Sequence, residues 1–122
     1  MNEILLYFTL LILIKSLLDD MQIQLWKACE DGRVEEVRKL LQNEQININW
    51  QDYVGETSFH VACEKGHLDI VKVLLKEKRI SIRRKTNKGK TAFEIAKANN
   101  YSEIMKLIKE FDTGNLLNNY LQ

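Results

Sequence analysis

An all-α solenoid of stacked helix pairs is the fold class that the sequence predicts. The motif Ala-Cys-Glu-x-Gly occurs at residues 28–32 and again at residues 62–66. Other positions return after the same interval: Val37 as Val71, and Gly55, Thr57, Phe59 and Ala62 as Gly89, Thr91, Phe93 and Ala96. The interval between the copies is the length of one repeat, and repeats of this length are typical of solenoids. The units of a solenoid bury their apolar faces only by stacking. We therefore expect three units, at about residues 20–53, 54–87 and 88–113.

Each unit is predicted to contain two helices and an extended arm. In the second unit, one helix begins at Thr57 and ends near Gly66, a residue suited to the left-handed conformation that closes a helix. The helix that follows, residues 68–75, carries apolar residues over more than one stripe, as expected of a helix packed between neighbours. Residues 80–83 then alternate apolar and polar side chains, which indicates a short arm.

Residues 1–19 are an apolar segment ahead of the repeats, and positions 4–14 within it are almost purely apolar. We expect a helix over residues 3–18 that covers the open end of the first unit or pairs with the same segment of a second molecule. Asp19 and Asp20 are then expected to cap the next helix. A signal peptide or membrane anchor is an alternative, although such a run spans about 17 Å of a bilayer core about 30 Å thick. An extension without stable order is a third alternative.

Length and composition fit one small domain. The chain has 122 residues, 45% of them apolar, and a formal net charge of +1. Cys29 and Cys63 occupy equivalent positions of adjacent units, where helices lie about 8–10 Å apart, whereas a disulfide needs Cα atoms within about 7 Å. We therefore expect reduced thiols and a cytoplasmic protein. A membrane-associated or secreted protein is the alternative if residues 1–18 act as an anchor or a signal.

The second unit resembles the ankyrin repeat. Residues 55–67 read Gly-Glu-Thr-Ser-Phe-His-Val-Ala-Cys-Glu-Lys-Gly-His, which matches the family pattern G-x-T-P-L-H-x-A-A-x-x-G-H. The third unit carries Glu94 where His60 stands and Asn100 where Gly66 stands, and the first unit lacks the hairpin Gly and Thr. Both therefore resemble degenerate terminal repeats. The resemblance implies an ankyrin-repeat solenoid with short hairpin arms, preceded by the N-terminal apolar helix.

No residue pattern in the chain indicates catalysis or a cofactor. His60, Cys63 and His67 have a spacing that would suit zinc, but no fourth ligand lies nearby in sequence. The resemblance implies instead that both histidines hold hairpin and turn backbone by hydrogen bonds. The sequence contains no Gly-rich phosphate loop, no G-x-S-x-G and no H-E-x-x-H. We predict a non-enzymatic protein without metal or cofactor.

Ankyrin-like domains bind mainly through the arm tips and the exposed side of each first helix, which implies a protein-binding strip here. Its predicted members are Glu30, Asp31, Trp50, Gln51, Tyr53, Val54, Glu56, Glu64, Lys65, Lys85, Asn87, Lys88 and Lys90. Tyr53 and Val54 are informative because apolar residues at a loop tip have no obvious core to enter. Trp50 is interpreted either as packed under the arm or as an anchor for the partner.

Positive charge is concentrated in one arm. Residues 76–90 contain one acidic residue, Glu77, and eight basic ones, a net charge of +7. The predicted basic patch consists of Lys76, Lys78, Arg79, Arg83, Arg84, Lys85, Lys88 and Lys90. It contains no aromatic residue for base stacking, so nucleic acid is not the expected ligand.

These observations predict an interaction scaffold or adaptor that binds a protein partner through the concave face and arm tips. The alternative is a binder of an anionic ligand, whether nucleic acid, anionic lipid or an acidic segment, through the basic arm at residues 76–90. We expect a monomer or a weak homodimer through the N-terminal segment, and membrane contact only through residues 4–18. The tail at residues 114–122 is expected to be a last helical turn or a frayed end.

Overall fold

The computed structural model describes the backbone of residues 2–121 and their side chains except those of residues 116 and 118–120. Over this range the chain forms helices and turns, and no strand. The helices are α1 (Glu3–Asp31), α2 (Val34–Leu41), α3 (Ser58–Lys65), α4 (Leu68–Leu75), α5 (Ala92–Ala98) and α6 (Ser102–Leu121). The predicted all-α repeat fold is confirmed.

The helices form three pairs that stack in two layers. α3 packs against both α1 and α5, so these first helices make one layer. α4 packs against both α2 and α6, and these second helices make the other layer. The side chains between the layers are fully buried, among them Phe59, Ala62 and Val71. Ala28, Ala62 and Ala96 recur at the same position of each pair with no exposed surface, because neighbouring first helices leave no room for a larger side chain there.

The helix ends follow the sequence signals. The Thr57 side chain accepts a hydrogen bond from the backbone N–H of His60 at 3.2 Å and caps the start of α3. Gly66 closes α3 in the left-handed region, with φ of 72°. Asn100 takes the same place in the third unit with φ of 60°, which asparagine tolerates better than most residues. The substitution that weakens the third unit's match to the pattern therefore keeps its turn.

The N-terminal segment does not form the separate capping helix that the sequence led us to expect. α1 runs without a break from Glu3 to Asp31, so Asp19 and Asp20 lie inside it rather than at a helix start. No Gly or Pro interrupts this stretch, and an Asp inside a helix costs too little to end it. The large apolar side chains from Ile4 to Leu17 remain exposed instead of covering the first unit.

The last helix includes most of the C-terminal tail, in agreement with the first of the two predicted alternatives, a last helical turn. α6 continues through Gly114 to Leu121, which places most of the expected tail inside the helix. Met1 and Gln122, the outermost residues of the two predicted terminal segments, lie outside the described residues. Among the described helices, none is both long and apolar enough to cross a membrane.

Polar contacts cover the outer end of the third unit. The Lys109 Nζ lies 5.5 Å from the centre of the Phe93 ring, within cation–π range. Arg83 Nη2 lies 2.7 Å from Asp112 Oδ1 and links the second arm to α6. The equivalent of Phe93 in the second unit, Phe59, is covered by a neighbouring unit and is 1% exposed. Charged side chains thus replace part of the covering that a further repeat would supply.

Candidate functional site

Two hairpin tips stand above the layer of first helices. In the first hairpin, the backbone N–H of Asp52 donates to the Glu56 carbonyl at 3.0 Å, and that of Gly55 donates to the Asp52 carbonyl at 3.0 Å. In the second hairpin, the N–H of Thr86 donates to the Lys90 carbonyl at 2.9 Å. Both turns therefore have the same backbone pattern, displaced by one repeat.

A side-chain acceptor stabilises each turn from within. Asp52 Oδ1 accepts from the backbone N–H groups of Val54 and Glu56 at 3.1 and 2.8 Å. In the second hairpin, Thr86 Oγ1 accepts from two backbone N–H groups, each at 3.3 Å. A carboxylate acceptor makes a stronger hydrogen bond than a hydroxyl, so the first tip is held more tightly than the second.

The two hairpins are bonded to each other. The backbone N–H of Asn87 donates to the Val54 carbonyl at 3.0 Å, and the Asn87 side-chain amide donates to the Tyr53 carbonyl at 2.9 Å. The Gln51 side chain donates to its own hairpin at Gly55 and to the next arm at Lys85, at 2.8 and 3.0 Å. These bonds hold the tips in a fixed relation, which a preorganised binding surface requires.

His60 and His67 hold backbone groups, as the resemblance implies. His60 Nε2 donates to the Lys90 carbonyl at 3.2 Å, and its Nδ1 accepts from the Thr57 backbone N–H at 3.1 Å. Burial lowers the pKa of His60 below its ordinary value. His67 Nε2 donates to the Glu30 carbonyl at 2.9 Å and ties α4 to the end of α1. Within the described part of the chain, no group of acidic, His or Cys side chains is arranged to hold a metal ion.

A groove of about 360 Å³ opens between the hairpin tips and the helices α3 and α5. Six of the predicted protein-binding residues line it: Val54, Glu56, Glu64, Asn87, Lys88 and Lys90. Thr86 and Ile95 complete the lining. We call this feature the inter-arm groove. It brings together residues of the second and third units that lie far apart in the sequence.

The inter-arm groove is charged with opposite signs on its two repeats. Glu56 and Glu64 come from the second unit, whereas Lys88 and Lys90 come from the third. Burial raises the pKa of Glu56 above its ordinary value, and the nearby carboxylates of Glu64 and Asp52 raise it further. In the described chain none of the four charged groove residues forms an ion pair.

The other predicted binding residues surround the inter-arm groove or serve the fold. Tyr53 projects from the first tip with 92% of its surface exposed. Trp50 and Gln51 are half-buried, and Gln51 is occupied by the bonds between the arms. Glu30 and Asp31, at the end of α1, pair with Lys27 and Arg33 at 3.3 and 3.4 Å. Lys65 and Lys85 are exposed and do not line the groove.

Sequence reasoning missed Ile95 and Thr86 as members of the inter-arm groove. Ile95 is equivalent to Val61, which is 1% exposed in the second unit, so the pattern marks it as a core residue. It becomes half-buried because no fourth unit covers α5 within the described residues. Thr86 is equivalent to Asp52, and this correspondence was a usable signal that its side chain closes the second turn.

The cations of the predicted basic patch differ in how far neighbouring groups engage them. Arg79 Nη1 donates to the carbonyls of Glu44 and Ile46 in the first arm, at 2.9 and 3.0 Å, and its Nη2 contacts Glu77 at 3.2 Å. Arg83 pairs with Asp112, and Arg84 donates to the Gln51 side chain at 3.4 Å. Arg79 is thus held by backbone oxygens of the preceding unit, whereas Arg83 and Arg84 are exposed and contact side chains at the surface.

The five remaining cations of the patch lie in different places, and one of them, Lys85, is exposed and lines neither of two grooves. Lys76 and Lys78 border a separate groove beside Glu77 at the ends of the second helices. Lys88 and Lys90 line the inter-arm groove. The stretch therefore supplies cations to two grooves, and binding of an anionic ligand through residues 76–90 stays a prediction.

Stacked helix pairs with bonded hairpin tips define the class of helical repeat proteins that present an open binding face. Residues 40–96 match the family model described as ankyrin repeats (many copies), and this part of the chain belongs to the ankyrin-repeat family. The family recognised from the sequence pattern is therefore confirmed, and it supports a role in protein interaction. No curated protein matches the chain.

Among solved structures, the chain is similar to one from Bdellovibrio bacteriovorus, described as the Bd0816 predatory endopeptidase in complex with immunity protein Bd3460. The matched chain is 34% identical, and the superposition has a TM-score of 0.66 over 71% of the present chain. The match covers 45% of that solved chain, so the present chain spans less than half of its length.

Proposed function

We propose that the chain is a non-enzymatic interaction module that binds a protein partner in the inter-arm groove. The observation that carries this proposal is the convergence of six predicted contact residues from two repeats on one groove. The groove offers the combination that protein recognition uses, namely apolar side chains from Val54 and Ile95 beside charges that are free to pair with a partner.

Two further observations support the proposal. Tyr53 stands almost fully exposed on a tip whose backbone is bonded to the next hairpin, so its ring is available to a partner at a small entropic cost. The similar solved structure is itself a complex of two proteins, an endopeptidase and an immunity protein. We carry over from that structure only the general role of binding a protein.

The proposal is tested by site-specific photo-crosslinking in lysate of the cells that make the protein. A photoreactive amino acid replaces Lys88 in the inter-arm groove, and in a matched variant it replaces Lys72, which is exposed on α4. We expect the Lys88 variant to form discrete covalent adducts with a protein, and the Lys72 variant to form none of the same mass.

Addition of unlabelled wild-type chain in excess is expected to remove those adducts by competition. Adducts that form equally from both positions, or that persist under competition, would mean that the inter-arm groove is not where a protein partner binds.

A further inference from the structure

The charges of the inter-arm groove contain information about the partner's sequence. Glu56 and Glu64 border its second-repeat side, and Lys88 and Lys90 border its third-repeat side. Both glutamates are half-buried, and both lysines are exposed. Two like charges on one side of the groove strengthen the electrostatic potential there, negative on the acidic side and positive on the basic side. Each side therefore favours a ligand group of the opposite sign.

We infer that the inter-arm groove recognises a peptide segment in which a basic and an acidic side chain flank an apolar one. The basic side chain lies against Glu56 and Glu64, the acidic one against Lys88 and Lys90, and the apolar one against Val54 and Ile95. This inference rests on the proposed function and narrows the partner to a class of linear sequence.

The experiment selects ligands from a library of random dodecapeptides displayed on phage, with the full chain as target. One variant, Lys88→Glu with Lys90→Glu, makes both sides of the groove acidic. A second, Glu56→Lys with Glu64→Lys, makes both sides basic. The matched control, Lys76→Glu with Lys78→Glu, introduces the same charge change in the separate groove beside Glu77.

The wild type and the control are expected to enrich the same peptides, with one basic and one acidic residue around an apolar one. The acidic groove is expected to enrich peptides in which the acidic residue is replaced by a basic one, and the basic groove the reverse. A synthetic peptide of the wild-type consensus is expected to bind the Lys88→Glu, Lys90→Glu variant about tenfold or more weakly in fluorescence anisotropy, since two attractions become repulsions.

Two results would count against the inference in different ways. In the first, the selected peptides fail to bind Val54→Arg, but their charges are the same for the wild type and for both charge-reversed variants. This result would overturn the inferred charge pattern and would still place the binding site in the inter-arm groove. A selection that yields no peptide sensitive to Val54→Arg or to either reversal would overturn the proposed function as well. Far-UV circular dichroism and urea unfolding verify that each variant is folded.

Discussion

Replacement of Gly55 by alanine measures how much the bond between the two hairpins stabilises the fold. Gly55 has φ of 82°, and a Cβ built on it lies 2.7 Å from the Asn87 backbone nitrogen. Gly89 is its equivalent in the second hairpin, with φ of 77° and no atom within 4 Å of the same Cβ. Gly89→Ala therefore carries only the left-handed strain of about 1–2 kcal/mol. Gly55→Ala adds the displacement of Asn87 and a lost hydrogen bond of about 1 kcal/mol, for a total of about 2–3 kcal/mol.

Urea unfolding followed by tryptophan fluorescence gives the free energy of unfolding of both variants and of the wild type. The informative quantity is the difference in unfolding free energy between the two alanine variants, because the left-handed strain that both variants share cancels in it. Equal losses of stability would refute the reasoning, because they would mean that the contact between the hairpins contributes nothing to the folded state. If Gly55→Ala is the more destabilised, amide exchange at Asn87 is expected to be faster than in the wild type.

Three further predictions concern residues whose burial or bonding decides the outcome. Arg79→Ala should lower the unfolding free energy by about 1–2 kcal/mol, because two hydrogen bonds to backbone carbonyls are lost. Arg83→Ala should lower it less, because the ion pair of Arg83 is exposed. Equal losses of unfolding free energy, measured by urea unfolding, would contradict this prediction. Burial raises the pKa of Cys29 and Cys63 to about 12, so iodoacetamide at pH 8 should label them only after unfolding, and rapid native labelling seen by mass spectrometry would be the opposite result. Because the folded state lowers the pKa of His60, the stability that the neutral imidazole contributes is complete above pH 6.5 and is lost as the pH falls. The urea midpoint of His60→Gln should therefore decline less between pH 7.5 and 5.5 than that of the wild type. An equal decline in both proteins would contradict the lowered pKa of His60.

The repeat period and the local signals of the second unit were sufficient to predict most of the fold. Thr57, His60 and Gly66 each have a chemical role that depends on near neighbours, so their side chains and backbone preferences indicate the cap and the turn directly. The stacking followed because a single helix pair leaves Phe59 and Val71 without cover.

The sequence was a poorer guide to the termini. It contains no Gly or Pro between Glu3 and Asp31 and so permits one long helix, yet Asp19 and Asp20 resemble a helix start. Such short polar residues serve as caps only where the chain changes direction, and nothing in the local pattern shows whether it does. The exposure of Ile4 to Leu17 in α1 likewise depends on packing that the apolar run does not specify.

By itself the sequence determined the family, the number of units, the buried alanines and the positions of the hairpin tips, because each of these depends on a pattern that returns from one unit to the next. Only the tertiary structure decided which charges are free. Arg79 and Lys88 belong to the same basic stretch, but one is bonded to the first arm and the other lines the inter-arm groove. The physical reason is that a side chain's availability depends on the acceptors that neighbouring repeats bring near it. For Arg79 those acceptors are the carbonyls of Glu44 and Ile46, which belong to the preceding unit and become its neighbours only when the units stack.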